Sequence, residues 1–226
     1  MSTIKPLQSG AISLDEVLGG GLNEGEVLQV FGPGGVGKTT LALQFSINVA
    51  RKGNRVIYVN SEGKFPILRL KQMTPTDFDS ISPLISIVSP TNFIEQANFV
   101  SQLDSILTSD TKLLVFDTIV SHYRKEYGTN NVILNRKLNQ QLGLIVSAAR
   151  SSGFSVIMIN QVRGDIEDRN HFLPVAESVT SYWSTYILQI TRAESKGYRE
   201  FKLIKEKIRE PIILMMNLQS SGFRSA

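Results

Sequence analysis

The residues Gly32-Pro33-Gly34-Gly35-Val36-Gly37-Lys38-Thr39 follow an apolar run, Val27–Phe31, and precede a segment with helical patterning. Glycines let a backbone fold so that several N–H groups converge on one point, and such a nest binds phosphate oxygens. A helix starting near Gly37 adds the positive end of its dipole at the same point. Lys38 can then reach β- and γ-phosphates. The Thr39 hydroxyl, with Thr40 beside it in the ATP-binding set, offers a hard oxygen to a magnesium ion on those phosphates. The spacing G-x-x-x-x-G-K-[ST] is that of the Walker A phosphate loop, so ATP and Mg2+ are the expected cofactors.

Such a loop needs a carboxylate on the metal. In "KLLVFDT" four apolar residues run into Asp117 at the C-terminal end of a predicted strand. Ligands bind at that edge of an open α/β sheet, which gives Asp117 the Walker B role beside Thr39. Hydrolysis also needs a group to orient or activate water. Glu62, two residues past the strand in "VIYVNSEGKF", is the candidate base; a solvated loop glutamate is the alternative.

The elements that must position these groups alternate along the chain. Strands are predicted at Val27–Phe31, Arg55–Val59, Ile85–Val88, Leu113–Asp117 and Ser155–Asn160. Helices are predicted at Lys38–Arg51, Asn92–Leu107 and Val132–Ser151. The strands are β-branched with little alternation, as in a sheet covered on both faces, and strand–helix–strand repetition implies parallel pairing. After Asn160, "TYILQITR", "REFKLIKEK" and "PIILMMNL", with a turn at "AESKGY", read as antiparallel strands added at the C-terminal end. The fold class is therefore α/β, with a mostly parallel central sheet flanked by helices. A length of 226 residues predicts one domain, 1–226, and the roughly 30 residues before the glycine loop are too few for another.

Composition narrows the function further. Cysteine is absent, which excludes disulfides and Cys-based metal or redox chemistry. No apolar run reaches the roughly 18 residues of a membrane span, and the N-terminus lacks a signal-peptide core, so a soluble cytoplasmic protein is expected. A net charge of +4 is compatible with nucleic acid without marking a polybasic binder.

At this level of detail a family resemblance is visible. "SGAISLDEVLGGGLNEGEVLQVFGPGGVGKTTLALQ" resembles the opening of the RecA/RadA/KaiC ATPase core. "NSEGKFPILRLKQM" is similar to the segment of archaeal recombinases that carries their catalytic glutamate. "LLVFDTIVSHYRKEY" resembles their Walker B strand with the start of the first DNA-binding loop, and "IMINQV" the strand before the second. The resemblance runs through nearly the whole chain and is strongest to the RadB-type archaeal recombinase paralogues.

It implies a RecA-like P-loop fold. It also implies an ATP-binding, DNA-binding recombinase paralogue acting in homologous recombination and DNA repair, as a mediator or regulator of the main recombinase with weak DNA-linked ATPase activity. Single-stranded DNA, a RadA-like recombinase or another paralogue, and homo- or hetero-oligomers are the implied partners. By position, Glu62 becomes the water-activating glutamate, Gln161 the γ-phosphate sensor coupled to the DNA loop, and Arg69 a residue that stacks on adenine. Asn60 and Lys64 depart from the usual Asp and Thr. The loops 124–131 and 162–174 are short and the second carries an acidic "GDIED", a departure from strand-exchange enzymes. A KaiC-like single-domain regulatory ATPase that does not act on DNA is the alternative.

Two groups of basic residues stay open between a functional and a plain reading. Arg124, Lys125 and Tyr127 in the first loop, and Arg163, Arg169, His171 and Phe172 in the second, suit single-stranded DNA through phosphate pairing and base stacking. Exposed solubilising loops would look the same. Lys205, Lys207 and Arg209 fall on one side of a predicted strand. They read either as a solvated edge or, given the interface-sited nucleotide of RecA-like assemblies, as trans-acting cations on a neighbour's ATP. His122 and His171 lack metal-ligand spacing, and Trp183 and Tyr186 read as packing residues.

Overall fold

The computed structural model describes residues 5–128, 131–163, 172–204 and 210–226. Strands β1 (Val27–Phe31), β2 (Arg55–Asn60), β3 (Ile85–Val88), β4 (Thr111–Asp117) and β5 (Ser155–Asn160) precede a short ribbon of β6 (Val162–Arg163) and β7 (Leu173–Pro174). β8 (Tyr186–Arg192), β9 (Tyr198–Leu203), β10 (Ile212–Gln219) and β11 (Gly222–Ser225) follow. The helices are α1 (Ile12–Val17), α2 (Lys38–Arg51), α3 (Ile67–Met73), α4 (Phe78–Ile81), α5 (Phe93–Ser101), α6 (Leu103–Ile106), α7 (Ser121–Glu126), α8 (Asn131–Ser152) and α9 (Glu177–Trp183).

The main sheet has the order β11-β10-β9-β8-β1-β5-β4-β2-β3. Its central strands have no solvent face, because helices cover both sides. Leu28, Val30, Leu113, Val115, Ile157 and Ile159 pack with Leu41 and Phe45 of α2. Their neighbours Val27, Leu114, Phe116, Val156 and Met158 point the other way, onto Leu138, Leu142 and Ile145 of α8. This is the period-2 alternation of a strand, hidden from the sequence because both faces are apolar.

Three local expectations are corrected. β8 is parallel to β1, with Leu28 opposite Tyr186 and Phe31 opposite Gln189. It is reached through the crossover helix α9, which returns the chain in the same direction. Within the main sheet, the antiparallel pairings are β8–β9, β9–β10 and β10–β11. The predicted helix Asn92–Leu107 is two helices, since Gln102 leaves helical values (φ −102°, ψ 5°) and its N–H bonds back three residues to Phe99. The first loop is partly helical, because Arg124 and Lys125 stand in the last turn of α7. No helix among the described residues is long and apolar enough to cross a membrane.

Candidate nucleotide-binding site

The glycine loop joins the end of β1 to the start of α2, and two of its glycines are demanded by close approach. Gly32 has φ 152°, and a Cβ there would stand 2.1 Å from the carbonyl oxygen of Ile190 on β8. Gly37 has φ 108°, and its Cβ would stand 2.7 Å from the Phe223 ring of β11. The left-handed value at Gly37 also turns the chain into α2. Val36 is fully buried and anchors the loop in the core. The Lys38 ammonium donates to the carbonyls of Gly32 (2.8 Å) and Pro33 (2.9 Å), so it is folded across the loop it belongs to. Burial lowers its pKa, and the carboxylates of Asp117 and Glu62 act in the opposite direction.

Asp117 ends β4 in the middle of the sheet and is buried. The Tyr58 hydroxyl of β2 donates to its Oδ2 at 2.7 Å. Burial raises its pKa; hydrogen bonds from Tyr58 and Thr39 and the charge of Lys38 work against that rise. Burial and the Asp117 charge together push the Tyr58 phenol well above its ordinary value. Thr39 and Asp117 thus present two hard oxygens to the same cleft. The buried hydroxyls of Ser61 and Thr118, one residue past β2 and β4, have no hydrogen-bond partner among the described residues. A hydroxyl and one carboxylate fit magnesium, which keeps waters and phosphate oxygens for its other positions.

Glu62 stands in the turn after β2. Asn60, at the end of that strand, donates from Nδ2 to the Gly63 carbonyl at 3.0 Å and closes the turn. Gln161 directly follows β5 and accepts a hydrogen bond from Arg124 of α7. A cleft of about 810 Å3 brings Gly32, Gly34, Gly35, Gly37, Lys38, Thr39 and Thr40 together with Glu62, Arg69, Asp117 and Gln161. Of the loop positions, Pro33 takes part through its carbonyl and Val36 from the core side. Arg69 of α3 reaches the opposite wall. It donates to the carbonyls of Gln219 (2.8 Å) and Ser220 (3.0 Å) in the β10–β11 turn and approaches the Thr40 hydroxyl at 3.4 Å. The volume lies within the range of small-molecule and cofactor sites.

A family model described as Rad51 matches residues 2–205. The chain belongs to the Rad51 family. Within it, the chain is 34% identical over 199 residues to the DNA repair and recombination protein RadB of Methanobrevibacter smithii, covering 86% of this chain and 83% of that protein. It is 34% identical over 212 residues to the protein of that name from Methanococcoides burtonii, covering 92% and 93% of the two chains. A crystal structure of a RadB recombinase superposes with a TM-score of 0.81 at 32% identity, over 97% of this chain and 99% of that one. The RecA-like fold and the RadB-type recombinase-paralogue assignment, in recombination and repair, follow from these matches. The family is an ATP-binding one.

Around this Rad51-family core, the rim beyond Gln161 gathers other sequence candidates. Arg124, Lys125, Ser61, Glu62 and Gln161 line a shallow cavity of about 470 Å3. Arg124, Tyr127 and Arg163 meet around a second, of about 390 Å3, with Tyr123 beneath. Tyr127 is 56% exposed, with its ring tilted against Tyr123, 5.8 Å between centroids. Phe172 is not: it is buried edge-on against Phe31, 6.2 Å between centroids, which removes it from the proposed stacking residues. The stretch before it, residues 164–171, is mostly polar in sequence, and the core contact comes from β1, far away along the chain. His122 is buried with Nε2 at 2.9 Å from the Pro90 carbonyl. Trp183 bonds Asn139 through its indole N–H (2.8 Å). Arg169, His171, Lys205, Lys207 and Arg209 lie outside the described residues.

Several residues that shape the site escape the sequence reading. Tyr58 is one; a lone phenol in an aliphatic strand is a usable signal, since a buried hydroxyl needs a partner. Gln44 is another. It brackets Phe223, accepting from its N–H (2.6 Å) and donating to its carbonyl (3.0 Å), and ties β11 to α2. The Gln219 and Ser220 carbonyls have no side-chain signature at all.

Proposed function

We propose that the cleft binds MgATP and hydrolyses it slowly, and that the nucleotide state is passed through Gln161 to a DNA-contacting rim. The protein then acts as a mediator or regulator of a RadA-like main recombinase rather than as an independent strand-exchange enzyme. The observation that carries this reading is the convergence of Lys38, Thr39, Asp117, Glu62 and Gln161 in one cleft, with Gln161 hydrogen-bonded to Arg124.

The roles follow from placement. Lys38 exchanges its two loop carbonyls for β- and γ-phosphate oxygens, and the loop N–H groups take the remaining charge. Thr39 and Asp117 would hold Mg2+, which supplies charge neutralisation on the phosphates. Glu62 receives the proton of the attacking water. A γ-phosphate that accepts a hydrogen bond from the Gln161 Nε2 reorients the side chain whose Oε1 accepts from Arg124. Arg124 is then released toward DNA with Lys125, Arg163 and Tyr127, where phosphate pairing and base stacking both apply. Arg69, held by the β10–β11 turn, lines the adenosine end. We place the protein inside the cell as one functional unit, 1–226, with single-stranded DNA and a recombinase as its partners.

A salt-dependent titration of labelled single-stranded DNA, with and without ATP, tests the reading. Binding that strengthens with ATP and falls steeply with salt is expected, because phosphate contacts release counterions. A KaiC-like regulatory ATPase would bind nucleotide and leave the DNA signal flat at every salt concentration.

A further inference from the structure

The apolar ladder between β8 and β9 ends in a cationic rung. Leu188 pairs with Leu203 and Ile190 with Phe201, all buried on the α2 face of the sheet. The next pair on that face is Arg192 opposite Arg199. Like charges directly opposite on antiparallel strands destabilise a sheet. Among the described residues neither arginine has a carboxylate within ion-pair distance. Burial and the charge of Arg192 both lower the Arg199 pKa, the expected sign for two cations held together.

The rung lies against the outer side of the phosphate loop. Arg199 donates from Nε to the Val36 carbonyl at 3.1 Å and from Nη1 to the Tyr198 carbonyl at 2.7 Å. Arg192 places Nη2 3.4 Å from where a Cβ on Gly35 would stand. In a planar trans peptide the C=O and the following N–H point in opposite directions. A Val36 carbonyl held outward by Arg199 therefore turns the Gly37 N–H inward, toward the nest.

We propose that the Arg192–Arg199 rung belongs to the polyphosphate-binding machinery. Arg199 is a positioning residue that fixes the Val36–Gly37 peptide. Arg192 is a second cation, acting across Gly35, that favours a nucleoside triphosphate over the less charged diphosphate. The anion in the loop relieves the repulsion that the rung suffers without it. This inference rests on the nucleotide reading of the cleft.

Equilibrium titration with fluorescent ATP and ADP analogues tests it, on wild type, Lys38→Ala, Arg192→Gln, Arg192→Lys, Arg199→Leu and Arg199→Gln, with folding checked by circular dichroism. Arg192→Gln is expected to lower the ATP-to-ADP affinity ratio by about threefold at low salt, the scale of one unit charge roughly 8 Å away in a mostly aqueous medium. Arg192→Lys restores the ratio, and added salt erases the difference. Arg199→Leu is expected to weaken ATP and ADP alike by about tenfold, as for loss of one charge-assisted hydrogen bond. Arg199→Gln keeps a donor for Val36 and recovers part of that loss, and it serves in place of Arg199→Leu if the latter fails to fold.

An unchanged ratio in Arg192→Gln overturns the electrostatic role. Unchanged affinity in the folded Arg199 variants overturns the positioning role. Either failure, beside a Lys38→Ala chain that has lost binding, leaves the cleft assignment standing. A wild type that binds no nucleotide overturns the cleft assignment and the rung with it.

Discussion

Asp117 ends β4, Lys38 starts α2 after the loop that follows β1, and Glu62 lies in the turn after β2, whereas the facing wall of the cleft is the β10–β11 turn, which offers Arg69 the main-chain carbonyls of Gln219 and Ser220. The first wall presents side chains whose chemistry is specific to residue type. The second presents backbone and packing: Phe223 lies against Gly37 and stacks edge-on with Phe201, 4.8 Å between centroids, and Gln44 clasps its main chain. On the proposed reading, the groups that react are separate from the groups that hold the loop still. The separation can be broken from either side.

The largest effect is expected on the reacting wall. In protein that turns over ATP above background, Glu62→Gln should slow single-turnover hydrolysis by about 10²–10⁴-fold while nucleotide affinity stays at the wild-type value. Equal turnover in variant and wild type would remove Glu62 as the base. On the supporting wall, Phe223→Ala should cost about 3–5 kcal/mol in urea unfolding, as for other buried aromatic truncations, and should weaken ATP binding through Gly37. A destabilised variant with unweakened binding would show that the hairpin serves the fold alone.

Asp117→Asn gives the smallest change in stability and a sign that is easy to read. Burial raises the Asp117 pKa above its ordinary 3.8. The group therefore favours the folded state below that ordinary value and loses its contribution as pH rises through the raised one. At neutral pH the buried charge is a cost, which the amide removes without losing the Tyr58 hydrogen bond. The nucleotide-free variant should melt about 2–4 °C higher at pH 7. The gap should close as the pH drops below the raised pKa, while magnesium-dependent nucleotide binding weakens at neutral pH. A lower melting temperature at pH 7 would contradict the electrostatic account of Asp117.

The same division decides what the sequence reveals. Gly32–Thr39 and Asp117 are legible because their chemistry demands particular residue types at fixed spacing. β1, β4 and β5 are legible as apolar runs between turn signals. The direction of β8 is not, since "TYILQITR" carries no mark of whether a helix or a tight turn precedes it, and α9 supplies the crossover. β11 is four residues long, too short for a pattern, and is ordered by Gln44 and Phe201 from elsewhere in the chain. Phe172 reads as a loop aromatic because the stretch before it is mostly polar and irregular, yet it packs against Phe31. Arg199 counts as one more cation in a basic stretch until the register places it under Val36.

The central claim is that this cleft is an ATP site whose state reaches DNA. Equilibrium titration of a fluorescent ATP analogue into wild type and Lys38→Ala tests it most directly, since Lys38 is the loop's one cation. Removing its contacts to two phosphates should weaken binding by at least about 100-fold, the scale of two charge-assisted hydrogen bonds, and ATP should no longer strengthen DNA binding. Wild-type affinity in a folded Lys38→Ala chain would contradict the account.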